Sequence, residues 1–300
     1  MNRVLVTGAQ GFTGQYMVPA LQSRGSEVHG LLRPGVPHAS LPNGALAHVA
    51  DLADPAGIAA VVDAIKPDVV VHLAGISNVA HSDPREIYEA NLIGSRNLLQ
   101  SLVECEVAPR AILLASSANV YGNQRQGILS EDVQPDPINE YGISKLAMEF
   151  VARLFMDRLP IIITRPFNYT GVGQSTDFII PKIVDHARRR ASRIALGNLD
   201  VERDFSDVRS VVACYLRLLD TPSAIGGLFN VCSSRAYTLR SVIRLVEELA
   251  DFEMEVEANP ALIRGNEVKT LYGDNRRLEA TIGPIEMLPL DATLRWMIEA

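Results

Sequence analysis

Apolar and polar positions along the first half of the chain fall into blocks with two different periods. Largely apolar runs over residues 4–6, 27–32, 46–49, 69–73 and 111–115 read as strands buried on both faces. Between them, apolar positions recur at helical spacing over residues 11–24, 58–65 and 85–104, and a further helix is predicted over 140–157. Such an alternation requires a parallel sheet covered by helices on both sides, so the fold class is α/β with a doubly wound parallel sheet. After an apolar run at 161–163 the rhythm changes. Proline and glycine become frequent (Pro166, Gly171, Gly173, Pro181), with helices predicted over 207–219 and 238–250. We therefore expect residues 1–165 to form a nucleotide-binding domain. Residues 166–300 are expected to form a smaller α/β substrate lobe that interleaves with the sheet.

Composition narrows the function classes. The 300 residues are 47% hydrophobic and 21% charged, a globular balance, with a formal net charge of −7. An acidic chain is repelled by nucleic acid and by anionic membrane surfaces, so neither is expected as a partner. Cys105, Cys214 and Cys232 have no paired spacing and read as reduced, buried thiols, and the six histidines form no short-spaced metal pair. No apolar run approaches the roughly 20 residues of a membrane helix, and residues 1–3 lead directly into the first strand. The expected compartment is the cytoplasm.

The first strand runs into Thr7-Gly8-Ala9-Gln10-Gly11-Phe12-Thr13-Gly14. Glycines at 8, 11 and 14 allow a tight turn, a close backbone approach to a pyrophosphate and a helix start whose amides face the phosphates. Gly8, Gly11, Phe12, Thr13 and Gly14 are thus expected to hold a dinucleotide. The second strand ends in Gly30-Leu31-Leu32-Arg33, with a cation where an NAD-selective site wants an acid, so Arg33 points to NADP(H), with NAD(H) as the alternative. Asp51 and Leu52 follow the third strand, where a carboxylate can accept from the adenine amino group. Leu73, Ala74 and Gly75 end the fourth, where small residues let the backbone pass close to the cofactor.

Tyr141 and Lys145 stand four residues apart, one helical turn, and so face the same side. An ammonium near a phenol favours the phenolate and lowers a titration point of about 10. With four lysines and eight tyrosines in the chain, chance pairing at this spacing gives roughly 0.1 occurrences. Ser117 follows the strand at 111–115, at the sheet edge where such folds bind ligands, and its hydroxyl can hold a substrate oxygen beside Tyr141.

These residues carry a resemblance. The TGxxGFxG loop, Ser117 with Val120-Tyr121-Gly122, and the Tyr141–Lys145 pair resemble the extended short-chain dehydrogenases/reductases of the nucleotide-sugar branch, which have a Rossmann sheet. The resemblance spans residues 3 to about 295. It implies that Tyr141 is the acid/base, Lys145 its tuner and ribose anchor, Ser117 the oxygen-positioning hydroxyl and Asn91 a structural asparagine. Both Tyr141 and Lys145 would then also touch the cofactor. Dehydratases of the branch carry a carboxyl side chain in the positions held here by Ala118 and Asn119, neither of which can move a proton near neutrality, so dehydration is excluded.

The stretches 27–33, 165–174 and 197–209 resemble GDP-4-keto-6-deoxy-D-mannose reductases, which form GDP-D-rhamnose with NAD(P)H. That resemblance implies a GDP-linked sugar substrate held by Asn168, Lys182, Arg203, Arg264 and Glu267, no metal, and a homodimer built on helices 85–104 and 140–157. The remaining alternatives are a nucleotide-sugar 4-epimerase, a GDP-6-deoxy-talose-forming reductase and a non-catalytic NADPH-binding protein.

Overall fold

In the computed structural model, which describes residues 2–77, 83–122, 127–259 and 270–300, the apolar runs of the sequence become the strands of one parallel sheet. These are β1 (Arg3–Thr7), β2 (Glu27–Leu32), β3 (Leu46–Val49), β4 (Val69–His72), β5 (Ala111–Ala115) and β6 (Ile161–Pro166). Four short strands follow: β7 (Asn168–Thr170), β8 (Arg193–Leu196), β9 (Glu202–Arg203) and β10 (Phe205–Asp207). The seventh strand of the sheet, β11 (Leu228–Val231), comes after them, and the order across the sheet is β11-β6-β5-β4-β1-β2-β3. The chain runs outward from β1 to β3, then crosses back to β4. The strand order therefore reverses between β1 and β4, where Thr7 pairs in register with His72. A crevice at the carboxyl ends of the strands opens at such a switch point.

The period-two geometry of strands divides the core into two layers. Val4 and Val6 face one side, against α1 (Phe12–Gln22), and Leu5 and Val70 face the other, against α2 (Pro55–Ile65). On that second side the helix predicted over 85–104 is three pieces: α3 (Pro84–Tyr88), a π turn at Glu89–Ile93 and α4 (Gly94–Glu104). Next to them packs α5 (Glu140–Arg153), and after it come α6 (Ile179–Arg188) and α7 (Val208–Leu219). Leu218 of α7 joins Met17 and Val18 of α1 in the first layer, together with Phe229 of β11. Residues beyond 166 thus complete both the sheet and its cover. A separate apolar cluster joins α6 to α8 (Leu239–Ala250) through Ile183 and Val242.

Helix starts follow side-chain caps. Asp54 accepts from Ala56 N ahead of α2, Asn139 from Gly142 N ahead of α5, and Thr238 from Ser241 N ahead of α8. Asp207 and Thr238, read from the sequence as first helical residues, are caps, and the helices begin one residue later. All three cysteines are free and buried. Among the described residues no helix is long and apolar enough to cross a membrane, and no cluster of histidine, cysteine and carboxylate side chains fits a metal ion.

One charged pair lies inside the core. Glu149 on α5 receives Arg165 of β6 through two hydrogen bonds, at 2.9 and 2.7 Å, with side-chain exposures of 0% and 1%. Glu149 also accepts from Ser116 Oγ at 2.6 Å, and the guanidinium lies over the Tyr121 ring at 4.8 Å. Removing one member leaves an uncompensated buried charge. Glu149→Gln is therefore expected to cost about 3–5 kcal/mol in urea unfolding; a change below about 1 kcal/mol, the range of exposed pairs, would show that the pair is not sealed from water.

Candidate active site

The glycine turn after β1 is built by backbone contact. Gly8 has φ 71°, and a Cβ there would lie 2.7 Å from Ala74 N, so the ends of β1 and β4 touch main chain to main chain. A Cβ on Gly14 would lie 2.4 Å from Ala9 O. Gly11 donates its N–H to Gly8 O at 2.9 Å and stands at the N-cap of α1, leaving the first amides of that helix facing the crevice. The end of β4 is fixed by His72. Ser95 gives its one proton to Asn91 O (2.6 Å), so His72 Nε2–H must donate to Ser95 Oγ (2.8 Å) and Nδ1 accept from Thr7 Oγ1 (2.7 Å). Burial, with the Lys145 charge adding to it, pushes the imidazole down to about 3, so it stays neutral.

Two adjoining cavities open here, sharing Gly8, Gly11, Leu73, Gly75 and Ile76 in their walls. The smaller, about 190 Å³, is lined also by Arg33, Leu52 and Ala74. Arg33 is exposed, and its guanidinium has no carboxylate partner among the described residues. Asp51 lies outside this wall. Its carboxylate accepts from Ala53 N at 2.9 Å, closing a turn of its own chain. Backbone that only glycine permits, helix amides and a free cation beside a small apolar slot fit the phosphates and adenosine of a dinucleotide.

The larger cavity, about 480 Å³, has Ser117, Tyr141 and Lys145 on one wall. Ser117 stands just beyond β5 and caps the single 3₁₀ turn Ala118–Tyr121. Tyr141 and Lys145 project from the first two turns of α5. That helix is anchored through Asn91, whose Nδ2 donates to Ser144 Oγ (3.0 Å) and to Ile76 O (3.1 Å), while its Oδ1 accepts from Ile76 N (2.8 Å). Asn91 sits in the π turn, the local distortion that places its amide between the two segments. Lys145 Nζ donates to Ala115 O at 2.8 Å, and a Cβ on Gly75 would come within 3.3 Å of that nitrogen. Burial pushes Lys145 down to about 8, opposed by the Glu149 charge one turn further along. Burial pushes the Tyr141 phenol up to about 12, opposed by the hydrogen bond with Ser117 and reinforced by Tyr169. The sequence predicts a phenol lowered by its lysine. In the folded chain desolvation dominates, and the proton rests on Tyr141.

The opposite wall comes from the segment after β6. Phe167, Asn168 and Tyr169 line the cavity, together with Phe178, Ile180 and Phe205. Asn168 Nδ2 donates to Asp204 O at 3.3 Å. Asp204 itself is buried, accepts from Ser233 N and Oγ at 2.8 and 2.7 Å, and is pushed up to about 6 by desolvation. Of the other expected sugar-nucleotide contacts, Lys182 donates from α6 to Ala195 O at 2.9 Å and is outside the cavity wall. Arg203 donates to Glu202 O at 2.8 Å in β9, also outside that wall. Arg264 and Glu267 lie outside the described residues.

Sequence reading missed Tyr169 and Asn119. The Tyr169 phenol shares a 2.7 Å hydrogen bond with Thr13 Oγ1 of the glycine turn, and its ring stacks on Phe12 with centroids 6.0 Å apart. Asn119 lines the cavity and bonds Ser117. An aromatic directly after Asn168 was the available signal for the first. Asn119 carried none, because an amide offers no proton chemistry of its own.

Comparison with known proteins agrees with this architecture. Residues 4–232 match the NAD dependent epimerase/dehydratase family. The GDP-6-deoxy-D-talose 4-dehydrogenase of Aggregatibacter actinomycetemcomitans is 32% identical over 94% of this chain and 91% of its own. The GDP-6-deoxy-D-mannose reductase of Pseudomonas aeruginosa is 34% identical over 98% of this chain and 95% of its own. Among solved structures, RMD from Pseudomonas aeruginosa complexed with NADPH superimposes with a TM-score of 0.82 at 29% identity, covering 100% of this chain and 97% of that one. A provisionally designated epimerase from Burkholderia cenocepacia J2315 superimposes with a TM-score of 0.94 at 47% identity, covering 99% and 97%. With its glycine turn at the switch point of a parallel sheet and these relatives along its whole length, the chain belongs to the NAD dependent epimerase/dehydratase family, the extended short-chain dehydrogenases/reductases, and is an NAD(P)-dependent oxidoreductase.

Proposed function

We propose that the enzyme reduces the 4-keto group of a nucleotide-linked 6-deoxy-hexulose, converting GDP-4-keto-6-deoxy-D-mannose to GDP-D-rhamnose with NADPH. The observation that carries this reading is the buried, protonated Tyr141 bonded to Ser117, beside the glycine turn, in a site where Ala118 and Asn119 leave no carboxyl group for dehydration. The curated relatives named for GDP-6-deoxy-hexoses support the substrate class. When bound, the dinucleotide supplies the hydride that reduces the carbonyl carbon and is left with an oxidised nicotinamide. The residues manage the oxygen. Tyr141 releases its phenolic proton to the former carbonyl oxygen, Ser117 donates a hydrogen bond to that atom as charge gathers on it, and the Lys145 ammonium steadies the phenolate left behind.

Asn168 and the apolar wall of Phe178, Ile180 and Phe205 would receive the sugar, whose 6-deoxy carbon is a methyl group that such a wall accepts. Lys182, Arg203, Arg264 and Glu267 are proposed for the nucleotide and its phosphates, and require side-chain movement where they now bond their own backbone. Arg33, exposed at the rim of the smaller cavity, would pair with the 2′-phosphate of NADPH. A talose-forming reduction is the second reading, favoured by the 32% identical dehydrogenase; the configuration at C4 of the product, read by NMR, separates it from rhamnose formation. Homodimerisation is proposed through α5 and its C-terminal end, where Ile143, Phe150 and the capping Leu154 expose 40, 56 and 74% of their surface along one stripe.

Tyr141→Phe is expected to cut the rate of NADPH oxidation with GDP-4-keto-6-deoxy-D-mannose by about 10²- to 10⁴-fold, with NADPH affinity close to that of the wild type; a variant that keeps most of its rate removes the phenol from the mechanism. Arg33→Asp should weaken NADPH binding by about 1.5–3 kcal/mol and shift preference toward NADH, measured by fluorescence titration, and an unaltered ratio would unseat Arg33. Replacing Phe150 and Leu154 together with Asp should convert the light-scattering mass from dimer to monomer. A wild type that is already monomeric refutes the stripe as an interface.

A further inference from the structure

Ser117 Oγ carries one proton and two acceptor sites. Asn119 takes both of the latter: its backbone N–H lies 3.1 Å from Oγ and its Nδ2 lies 3.2 Å away. With both lone pairs engaged, the hydroxyl has only its proton left to offer. The Tyr141 phenol stands on the same cavity wall, where that proton can be shared with it or with a bound oxygen. The Asn119 side chain is not needed to build the turn. The turn is closed by its main chain, with Gly122 N donating to Asn119 O at 3.2 Å and with Gly142 packed so closely that a Cβ there would lie 2.6 Å from the same oxygen. The amide is half-buried and forms part of the cavity wall.

We propose that Asn119 is a positioning residue that makes Ser117 an obligate donor, aiming its single proton at the substrate carbonyl oxygen in the space between Ser117 and Tyr141. The inference rests on the reductase reading given above. A serine hydroxyl free to rotate would spend part of its time presenting a lone pair to that oxygen, which repels the charge developing there. An amide that donates from Nδ2 removes this orientation. A carboxylate at the same place would do the reverse, since it can only accept and would draw the serine proton to itself.

The test reads polarity and not merely activity, using NADPH and GDP-4-keto-6-deoxy-D-mannose. Asn119→Ala should lower kcat about tenfold, a fraction of the loss expected when an oxyanion donor is deleted outright, while KM for the keto sugar, the NADPH dissociation constant from fluorescence titration and Tm stay at wild-type values. In a Ser117→Ala background the same change should do nothing further. Asn119→Asp should acquire a new limb in its kcat–pH profile, falling as pH rises through the carboxylate range of about 4–6, because the neutral acid can still donate to Ser117 and the anion cannot. Wild-type kcat in Asn119→Ala, losses that multiply with Ser117→Ala, or an Asn119→Asp profile that follows wild type would each overturn the assignment. A wild type inactive with this substrate overturns the reductase reading, and the role of Asn119 with it. An active wild type with indifferent variants overturns Asn119 alone.

Discussion

A phenol buried in a cleft wall at the carboxyl edge of a parallel sheet is the constraint on which the rest of this structure turns. Tyr141 holds its proton because the surrounding protein solvates a phenolate poorly, and the same desolvation drives Lys145 to about 8. Both shifts favour the neutral forms and would be wasteful in a core. In a reductive site they are useful. The acid keeps its proton until negative charge appears on a neighbouring oxygen, and an ammonium still charged near neutral pH stands ready to steady the phenolate. The hydrogen bond with Ser117 opposes burial at Tyr141, and it acts on the same oxygen that must give up its proton.

Holding that phenol in place takes polar ties across several elements. Asn91 in the π turn binds the 76 segment and α5 together, and Glu149 joins α5 to β6 through Arg165 and to the end of β5 through Ser116. His72, kept neutral, locks β1 to β4 and α4. The Thr13–Tyr169 hydrogen bond then ties the glycine turn to the segment that forms the sugar wall. Each tie joins residues far apart in the chain, so the cofactor side and the substrate side of the crevice are mechanically one unit.

This division explains what could be read from the sequence. The strands read over residues 4–6, 69–73 and 111–115 and the glycine turn were legible because their signals are local: apolar runs, period and backbone freedom. Tyr141 and Lys145 were legible because helical spacing puts them on one face. The π turn was not, since it answers to a contact between Asn91 and residue 76 that no local pattern encodes. The Arg165–Glu149 pair was missed for the same reason, whereas Tyr169 had a local signal in its place beside Asn168; the lysine's expected hold over the phenol yielded to a burial that spacing cannot express. Lys182, implied by the resemblance, and Asp51, read from its place after the third strand, bond main-chain atoms in the fold, at Ala195 O and Ala53 N.

The most direct test of the central claim follows the hydride itself. With NADPH deuterated at C4 of the nicotinamide in each configuration separately, one of the two should yield GDP-6-deoxy-hexose carrying deuterium at C4 of the sugar, with one cofactor oxidised for each sugar reduced. Net epimerisation without loss of reduced cofactor, or reduction without deuterium in the sugar, would contradict the account.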